Sequence, residues 1–250
     1  MFSLDDKVAI VTGGGSGIGA AISLMLAEAG ALVVIVDIHK ANADAEVGKL
    51  QAAGLKAAAI EIDLADENAV VAGCQKIISE YGVPWVLVNN AGLQDRLLLL
   101  EGTAEEWDRM NQVNARGPFF MTREIARAMV AGGEGGRIVN VASMSLRGQI
   151  VKGLASYLAS KGALLGLTQA SAFELAEHGI TVNNVMPGGV RTPGSMNAKG
   201  PKPEGPGVRR APLGFCEGKD VASAVLYFAT PAARYVTNQT IAVDAGFSVS

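Results

Sequence analysis

Short apolar runs recur along the chain and alternate with longer stretches of helical composition. The runs are rich in Val and Ile and do not alternate with polar residues, a pattern typical of strands that are buried on both faces of a parallel sheet. Helical composition fills the intervals, for example residues 20–29, 41–53 and 67–81. The pattern therefore predicts seven strands, at residues 8–11, 32–36, 57–62, 85–88, 137–141, 181–185 and 240–243.

Repeated strand–helix–strand units predict an α/β protein with a doubly wound parallel sheet, because right-handed crossovers place helices on both faces of the sheet. The chain has 250 residues, shows no internal repeat and contains no segment with the composition of a linker. We therefore expect residues 1–250 to form a single domain with about seven strands.

Two segments depart from the strand–helix rhythm. Residues 131–136 (AGGEGG) are predicted to form a plain surface loop before the fifth strand. Residues 193–212 contain five prolines and four glycines, so we expect no regular element there. A long irregular segment within a domain is usually a lid or binding loop, and otherwise disordered, so we predict a substrate lid at about 193–212.

The overall composition excludes several classes of protein. Hydrophobic residues make up 49% of the chain and charged residues 18%, which excludes a disordered chain. The net charge of −3 offers no basic excess for nucleic acid. No apolar run approaches the roughly 18 residues that a membrane span needs, and the first residues lack the features of a signal peptide. We therefore expect neither a nucleic-acid nor a membrane partner.

Cysteine and histidine usage limits the chemistry further. Cys74 and Cys216 lie far apart and read as reduced thiols, so we expect a cytoplasmic protein without a disulfide framework. His39 and His178, the only histidines, are also far apart. We therefore expect no metal site.

A glycine-rich turn follows the first predicted strand. Residues 12–19 (TGGGSGIG) open the next helical stretch, where glycines let the backbone approach a pyrophosphate and the helix N-terminus presents free N–H groups. Asp37 ends the second run, 18 residues after Gly19. A carboxylate at that point accepts hydrogen bonds from ribose hydroxyls and repels the 2′-phosphate of NADP, and Ile38 offers no cation in its place. The pattern predicts a dinucleotide site that prefers NAD.

Tyr157 and Lys161 are four residues apart and lie on one face of a predicted helix. A free tyrosine has a pKa of about 10. A nearby ammonium group and the positive ring of an oxidised nicotinamide would both favour the phenolate. The pair therefore indicates a tyrosine that serves as general base for an alcohol or general acid for a ketone.

Further motifs follow in an ordered set. Residues 89–92 read NNAG, Ser143 precedes Tyr157 by 14 residues, and Pro187-Gly188 is followed by Thr192. Residues 243–246 read VDAG. Together with the glycine turn and the Tyr–Lys pair, these motifs resemble the classical short-chain dehydrogenase/reductase family over essentially the whole chain, with Ala in place of one Gly in the last motif.

The resemblance implies a Rossmann-like fold and a single dinucleotide-binding and catalytic domain. It also implies which residues bind the cofactor, with Asp63 at the position that touches the adenine. This set comprises Gly13, Ser16, Gly17, Ile18, Gly19, Asp37, Asp63, Leu64, Asn90, Ala91, Gly92, Tyr157, Lys161, Pro187, Gly188, Val190 and Thr192.

The resemblance further implies catalytic roles for four residues. Tyr157 exchanges a proton with the substrate oxygen, and Ser143 hydrogen-bonds that oxygen. Lys161 holds the nicotinamide ribose and lowers the pKa of Tyr157, while Asn114 passes the proton on through water and backbone. Ser145, 12 residues before Tyr157, is a rival to Ser143, which we favour because it follows the predicted strand directly.

These roles imply an NAD(H)-dependent oxidoreductase that interconverts a secondary alcohol, such as a polyol, sugar or hydroxy acid, and the ketone. The alternatives are a 3-oxoacyl-acyl-carrier-protein reductase, a hydroxysteroid dehydrogenase-like activity, and an inactive dinucleotide sensor. Asp37 and Phe173 argue against the first, because such reductases typically prefer NADPH and often place a docking arginine where Phe173 stands. The complete catalytic set argues against the sensor.

The helix that carries Tyr157 indicates self-association. Residues 162–173 carry no charge, and small residues such as Gly162, Ala163, Gly166 and Ala170 recur. A helix without charge on any face is buried on every face, so we expect a second subunit to cover its outer side. The resemblance implies a homotetramer.

The motifs do not identify the substrate. We expect its contacts around five residues of mixed polarity, Gln94, Ser145, Gln149, Gly189 and Met196. The lid carries four basic residues, which form either a solvated rim or an attraction for anionic substrates.

Overall fold

All seven predicted strands pair into one parallel sheet in the computed structural model, which describes residues 1–250. The strand order is β3-β2-β1-β4-β5-β6-β7. The strands are β1 Val8–Thr12, β2 Leu32–Asp37, β3 Ala57–Glu61, β4 Val86–Asn89, β5 Gly136–Val141, β6 Ile180–Pro187 and β7 Thr240–Val243. The predicted bounds agree to within one residue, except that β6 continues two residues further, to Pro187.

Eight helices connect and cover these strands. Gly17 begins α1, three residues before the predicted start, because the chain enters the helix directly from the glycine turn. The helices are α1 Gly17–Glu28, α2 Lys40–Ala52, α3 Glu67–Tyr81, α4 Ala104–Asn111, α5 Gly117–Gly132, α6 Ala155–Leu175, α7 Pro193–Met196 and α8 Gly218–Ala229.

The two faces of the sheet bury separate cores. Successive side chains of a strand point to opposite faces. Ala9 and Val11 therefore pack with α1, α2 and α8, whereas Ile10 packs with α3, α5 and α6. The predicted doubly wound sheet with helices on both faces is confirmed. None of the helices combines the length and the apolar character that crossing a bilayer requires.

The order of the strands places a crevice at the centre of the sheet. β1 pairs with β2 on one side and with β4 on the other, so successive connections leave β1 and β4 in opposite directions. Ligands of open α/β sheets bind beyond the carboxyl ends of the strands at such a reversal. Thr12 ends β1 and Asn89 ends β4 there.

The prediction that residues 193–212 contain no regular element is wrong in part. Pro193 begins the short helix α7, and a second turn, a 3-10 helix, spans Pro206–Val208. Proline suits the first turn of a helix, because the missing N–H has no partner there in any case. Thr192 and Ser195 also form a reciprocal capping box around α7. The predicted loop at 131–136 is shortened, since α5 reaches Gly132 and β5 begins at Gly136.

Candidate active site

The glycine turn between β1 and α1 forms an open cradle. A Cβ on Gly19 would overlap the carbonyl oxygen of Gly13, and a Cβ on Gly13 would lie 2.9 Å from the Cα of Ala91. Only glycine therefore permits this close approach of backbone segments. Ser16 caps α1 without a side-chain hydrogen bond, so the first N–H groups of the helix have no capping side chain. Such a helix start suits the negative charge of a pyrophosphate.

Asp37 lies at the edge of this cradle. One carboxylate oxygen accepts a hydrogen bond from the backbone N–H of Gly15 at 3.2 Å, and the other accepts from that of His39 at 3.0 Å. Ile38 is 52% exposed and brings no positive charge to the same edge. Asp37 is therefore held at the predicted position for a ribose contact.

Asp63 and Leu64 follow β3, next to the end of β2. The backbone N–H of Ile62 donates to the carbonyl of Asp37 at 3.2 Å, which keeps the two strand ends together. Asp63 is exposed, whereas Leu64 is buried against Gly117. A Cβ added to Gly117 would lie 2.8 Å from the Cβ of Leu64. The exposed carboxylate and the buried leucine form the outer rim of the crevice on this side.

Thr12 joins the NNAG segment to the glycine turn. Its hydroxyl oxygen accepts from the backbone N–H groups of Asn90 and Ala91 at 3.0 and 3.1 Å, and the hydroxyl donates to the carbonyl of Val88 at 3.3 Å. The amide of Asn90 donates to the carbonyl of Thr12 at 3.0 Å. These bonds hold Asn90 and Ala91 against the cradle, and Gly92 follows them directly in the chain.

Asn114 is fully buried in a π-helical turn, Gln112–Arg116, between α4 and α5. Its amide nitrogen donates to the carbonyl of Leu93 at 2.9 Å and to the hydroxyl of Ser160 at 3.0 Å. Its amide oxygen accepts from the N–H of Leu93 at 2.8 Å. Ser160 in turn donates to the carbonyl of Tyr157 at 2.7 Å. Sequence reasoning missed Ser160, which occupies the middle of the YLASK segment between Tyr157 and Lys161.

Ser143, Tyr157 and Lys161 are all buried on the same side of the sheet. The ammonium of Lys161 donates to the carbonyl of Val141 at 2.9 Å. A Cβ on Gly92 would lie 3.2 Å from both the Lys161 Nζ and the Asn114 Oδ1, so these two side chains converge on one glycine. Ser143, two residues after the end of β5, bounds this group on the side of the sheet.

The turn after β5 distinguishes Ser143 from Ser145. The hydroxyl of Ser143 accepts from the backbone N–H of Ser145 at 3.1 Å and caps the 3-10 helix Met144–Arg147. A side-chain hydrogen bond with Ser143 also acts on Tyr157 and opposes the rise in the pKa of Tyr157 that burial causes. This contact favours Ser143 over Ser145 as the partner of Tyr157.

Burial dominates the ionisation of both members of the Tyr–Lys pair. It raises the pKa of Tyr157, and the hydrogen bond from Ser143 opposes that effect without cancelling it. Burial also lowers the pKa of Lys161 to about 8. In the protein alone the pKa of Tyr157 therefore lies above its ordinary value, because the loss of water around the phenol outweighs the hydrogen bond with Ser143. The lowering by Lys161 that the resemblance implies stays a prediction.

The end of β6 meets the glycine turn through Thr192. A Cβ on Gly17 would lie 3.1 Å from the Thr192 Cβ, and Thr192 itself caps α7. The N–H of Gly188 donates to the carbonyl of Val243 at 2.8 Å, and Val190 pairs with Cys216 in an isolated bridge. Pro187, Gly188, Val190 and Thr192, which belong to the implied cofactor-binding set, thus lie at or just beyond the end of β6 and reach the glycine turn at Gly17.

Several basic residues in and around the lid make contacts within the protein. Arg96 donates to the carbonyl oxygens of Pro201 and Ala198 at 2.8 and 3.2 Å. Lys152 pairs with Glu204 at 2.7 Å, and Arg209 donates to the carbonyl of Phe247 at 2.8 Å. These contacts hold the lid to the rest of the protein. They favour a structural role for these basic residues over a role in attracting anionic substrates.

The five residues expected to contact substrate differ in their surroundings. Met196 is 76% exposed, whereas Gln94, Ser145, Gln149 and Gly189 are half-buried around the mouth. No group of three or more His, Cys, Asp or Glu side chains is placed where it could hold a metal ion.

Comparison with known proteins identifies the family. A family model described as short chain dehydrogenase matches residues 7–202. The chain is 36% identical over 249 residues to the 3-oxoacyl-acyl-carrier-protein reductase FabG of Thermotoga maritima, covering 98% of this chain and 99% of that protein. It is 39% identical over 255 residues to the galactitol 2-dehydrogenase (L-tagatose-forming) of Cereibacter sphaeroides, covering 100% of this chain and 98% of that protein.

A solved structure agrees with these relatives. The blue fluorescent protein from a metagenomic library, in complex with NADPH, matches with a TM-score of 0.89 at 38% identity, covering 99% of this chain and 100% of that chain. The chain therefore belongs to the short-chain dehydrogenase/reductase family. It is an oxidoreductase that acts on CH–OH groups with a nicotinamide dinucleotide.

Proposed function

We propose that the protein is an NAD(H)-dependent oxidoreductase that interconverts a secondary alcohol and its ketone, with Tyr157 as general acid and base. The observation that carries the proposal is the convergence of four buried polar residues from separate elements beside the glycine cradle. Ser143 contacts the Tyr157 hydroxyl, while Lys161 and Asn114 meet at Gly92.

A bound dinucleotide would supply hydride chemistry, and the protein would supply position and proton transfer. The cradle, Asp37 and Asp63 would hold the adenosine and pyrophosphate end, while Val190 and Thr192 would hold the nicotinamide end. Ser143 donates a hydrogen bond to the substrate oxygen, which steadies its developing charge.

Tyr157 gives or takes the proton of the substrate oxygen, and the positive charge of Lys161 favours its phenolate. The hydrogen bonds from Asn114 to Ser160 and from Ser160 to the Tyr157 carbonyl hold this part of α6 in place. In this proposal Asn114 passes the proton on through water and backbone, and its amide is held in place by the N–H and the carbonyl of Leu93.

Asp37 supports NAD as the cofactor. Its carboxylate is held beside the turn by two backbone N–H groups, and no cation stands next to it in sequence. The metagenomic relative holds NADPH, so NADP(H) is the alternative that the cofactor assay decides.

The substrate that we propose is a secondary alcohol of the polyol, sugar or hydroxy acid type. The galactitol dehydrogenase is among the relatives and supports this class. The reductase of Thermotoga maritima supports the alternative, a 3-oxoacyl-acyl-carrier-protein reductase. Phe173 argues against this alternative, because it is 87% exposed at the position where such reductases often have a docking arginine. A hydroxysteroid dehydrogenase-like activity is the other alternative, and an inactive dinucleotide sensor is disfavoured by the complete catalytic set.

We also propose a cytoplasmic homotetramer whose lid, at 193–212, closes over the substrate. Both cysteines are buried and unpaired, which suits a reducing compartment. The outer side of α6 exposes an uncharged stripe that a second copy would cover. The stripe comprises Ala159, Ala163, Gly166, Ala170 and Phe173.

A panel of secondary alcohols and ketones, assayed with all four nicotinamide cofactors, tests the proposal. We expect turnover of at least one polyol with NAD, or of the matching ketone with NADH. Binding of dinucleotide without turnover of any member would identify the protein as a sensor instead.

A further inference from the structure

Gln149 carries an amide oxygen that no group of the protein satisfies. The residue follows the 3-10 helix Met144–Arg147, and its backbone N–H donates to the carbonyl of Met144 at 3.2 Å. Its Oε1 is buried and has no hydrogen-bond partner. Buried polar atoms without a partner are rare because leaving one unpaired is costly, so this atom points to a role in binding.

The Gln149 amide lies along the floor of the crevice. A Cβ on Gly188 would lie 3.0 Å from the Oε1, and a Cβ on Gly189 would lie 3.5 Å from the Nε2. These two glycines directly follow β6, at the side of the crevice that we assign to the nicotinamide and the substrate. A side chain on Gly188 would displace the amide, so glycine at this position leaves room for it.

The lid lies over the same residue. A Cβ on Gly207 would lie 3.1 Å from the carbonyl oxygen of Gln149, and the N–H of Gly207 donates to the carbonyl of Ile150 at 2.8 Å. The side-chain amide of Gln149 therefore lies beside Gly188 and Gly189, while its backbone carbonyl lies next to Gly207 of the lid. It also sits on the same turn as Ser143, six residues further along the chain.

The chemistry of the amide matches a hydroxyl group. An amide offers a donor at Nε2 and an acceptor at Oε1, and a half turn about the last side-chain bond exchanges the two at little cost. A hydroxyl both donates and accepts, so it can satisfy the amide in either orientation. An alkyl group in the same place would leave the amide unpaired.

We propose that Gln149 is a specificity-determining residue that hydrogen-bonds a second hydroxyl group of the substrate, one or two carbons from the reacting carbon. The substrate class is then polyols and the corresponding hydroxyketones. This inference rests on the proposed oxidoreductase function and goes beyond it by naming the group that recognises the substrate.

The experiment compares matched substrates that differ by one hydroxyl. The best polyol from the panel and its analogues, each lacking one hydroxyl next to or two carbons from the reacting carbon, are assayed with wild type, Gln149→Met and Gln149→Asn. The methionine variant keeps the length of the side chain but cannot make the amide hydrogen bonds. The asparagine variant keeps the amide group on a side chain that is one methylene shorter, so the amide no longer reaches the substrate. Gln75→Met, at an exposed position of α3, is the matched control.

For wild type we expect kcat/KM to fall about tenfold or more when the recognised hydroxyl is removed. In Gln149→Met and Gln149→Asn, kcat/KM for the polyol falls by about the same factor, while that for the analogue stays within about threefold. The Kd for the dinucleotide and the melting temperature stay at wild-type values. Gln75→Met behaves as wild type on both substrates.

Other outcomes overturn the inference in distinguishable ways. Equal losses on the polyol and the analogue mark Gln149 as structural, and a weakened dinucleotide Kd assigns it to the cofactor. A wild-type enzyme that prefers simple secondary alcohols refutes the polyol assignment but leaves the oxidoreductase function standing. If wild type turns over no alcohol or ketone at all, the proposed function fails, and this inference fails with it. Should the methionine variant not fold, the asparagine variant decides between these outcomes.

Discussion

The carboxylate of Asp37 accepts a hydrogen bond from the backbone N–H of Gly15 at 3.2 Å, so the acid that ends β2 is tied to the glycine turn that follows β1. A Cβ on Gly15 would lie 3.0 Å from the same oxygen, and only glycine at this position avoids that contact. The negative charge is therefore held at the edge of the cradle rather than on a freely rotating side chain. A group bound there meets this charge at close range.

This geometry predicts a preference for NAD over NADP. Like charges about 5 Å apart repel by roughly 3 kcal/mol at an effective dielectric constant of about 20, before salt screening. We expect kcat/KM for NAD to exceed that for NADP by about tenfold or more. The double change Asp37→Ser with Ile38→Arg should narrow or reverse the preference. Asp44→Ser, which removes an exposed carboxylate paired with Lys40 on α2, is the control.

Steady-state kinetics with both cofactors at one ionic strength provide the measurement. Equal efficiencies for NAD and NADP in the wild-type enzyme would contradict the prediction.

Tyr157→Phe tests the catalytic assignment. The change removes the group that exchanges the substrate proton, so we expect kcat to fall by about 100-fold or more, the scale of general acid–base catalysis. The Kd for NAD, measured by calorimetry, should stay near the wild-type value because the ring remains in place. Tyr235→Phe, at a side chain that is 88% exposed, should leave both quantities unchanged. Near-normal turnover by Tyr157→Phe would show that another group handles the proton.

The buried ammonium of Lys161 predicts a pH dependence of stability. Burial lowers its pKa from 10.5 to about 8, so between these values the unfolded chain binds more protons than the folded one. The contribution of Lys161 to the free energy of unfolding therefore rises as the pH increases from about 8 to about 10.5. Lys161→Met removes this dependence, so the variant gains stability relative to wild type at pH values below about 8 and loses that advantage at higher pH.

Urea denaturation of the protein without cofactor, at several pH values, measures this difference. Lys56→Met, at an exposed position, should show a constant difference from wild type across the same range. A constant difference for Lys161→Met as well would mean that the lysine keeps its ordinary pKa in the fold.

The uncharged outer side of α6 predicts self-association. We expect light scattering at micromolar concentration to give a mass well above the 25.7 kDa of one chain. If the protein is the homotetramer that we propose, the mass should be that of four chains. Gly166→Arg should shift the population toward smaller species by placing a charge in the interface. Gly48→Arg on α2 is the matched control, because a Cβ at either glycine meets nothing within 4 Å in one chain. A wild-type monomer would refute the interface.

The lid should become more protected when ligand binds. Arg96 holds Pro201 and Ala198 through their carbonyl oxygens, and the N–H of Lys152 donates to the carbonyl of Glu204 at 2.8 Å. We expect hydrogen exchange across 193–212 to slow with NAD and substrate together, and to speed up in Arg96→Met without ligand. Equal protection with and without ligand would mean that the segment is a fixed wall.

The basic residues of the lid bear on the substrate in a separate measurement. If Lys199, Lys202 and Arg210 attract anionic substrates, KM for a carboxylated substrate should rise with salt. A KM that does not depend on salt would leave these residues as a solvated rim.

Local patterns were sufficient for the strands and for the order of the motifs. An apolar run such as the one ending at Val36 is recognisable because a central parallel strand is buried on both faces. The glycine turn and Asp37 are recognisable because each occupies a fixed place at the end of a strand, and carboxyl ends of parallel strands meet at one edge. The catalytic set came from the resemblance, since Tyr157 and Lys161 alone are compatible with an ordinary helix face.

The remaining features depend on contacts between residues that are distant in the chain. Asn114 bonds Ser160 across 46 residues, and the unpartnered oxygen of Gln149 is buried beside Gly188, which lies 39 residues further along the chain. The pKa of Tyr157 is raised because the loss of water on burial outweighs the hydrogen bond with Ser143, and that loss is set by the whole surroundings of the ring. A short segment of sequence shows which side chains are present. Their burial and the distances between them are decided only when separate helices and strands pack together.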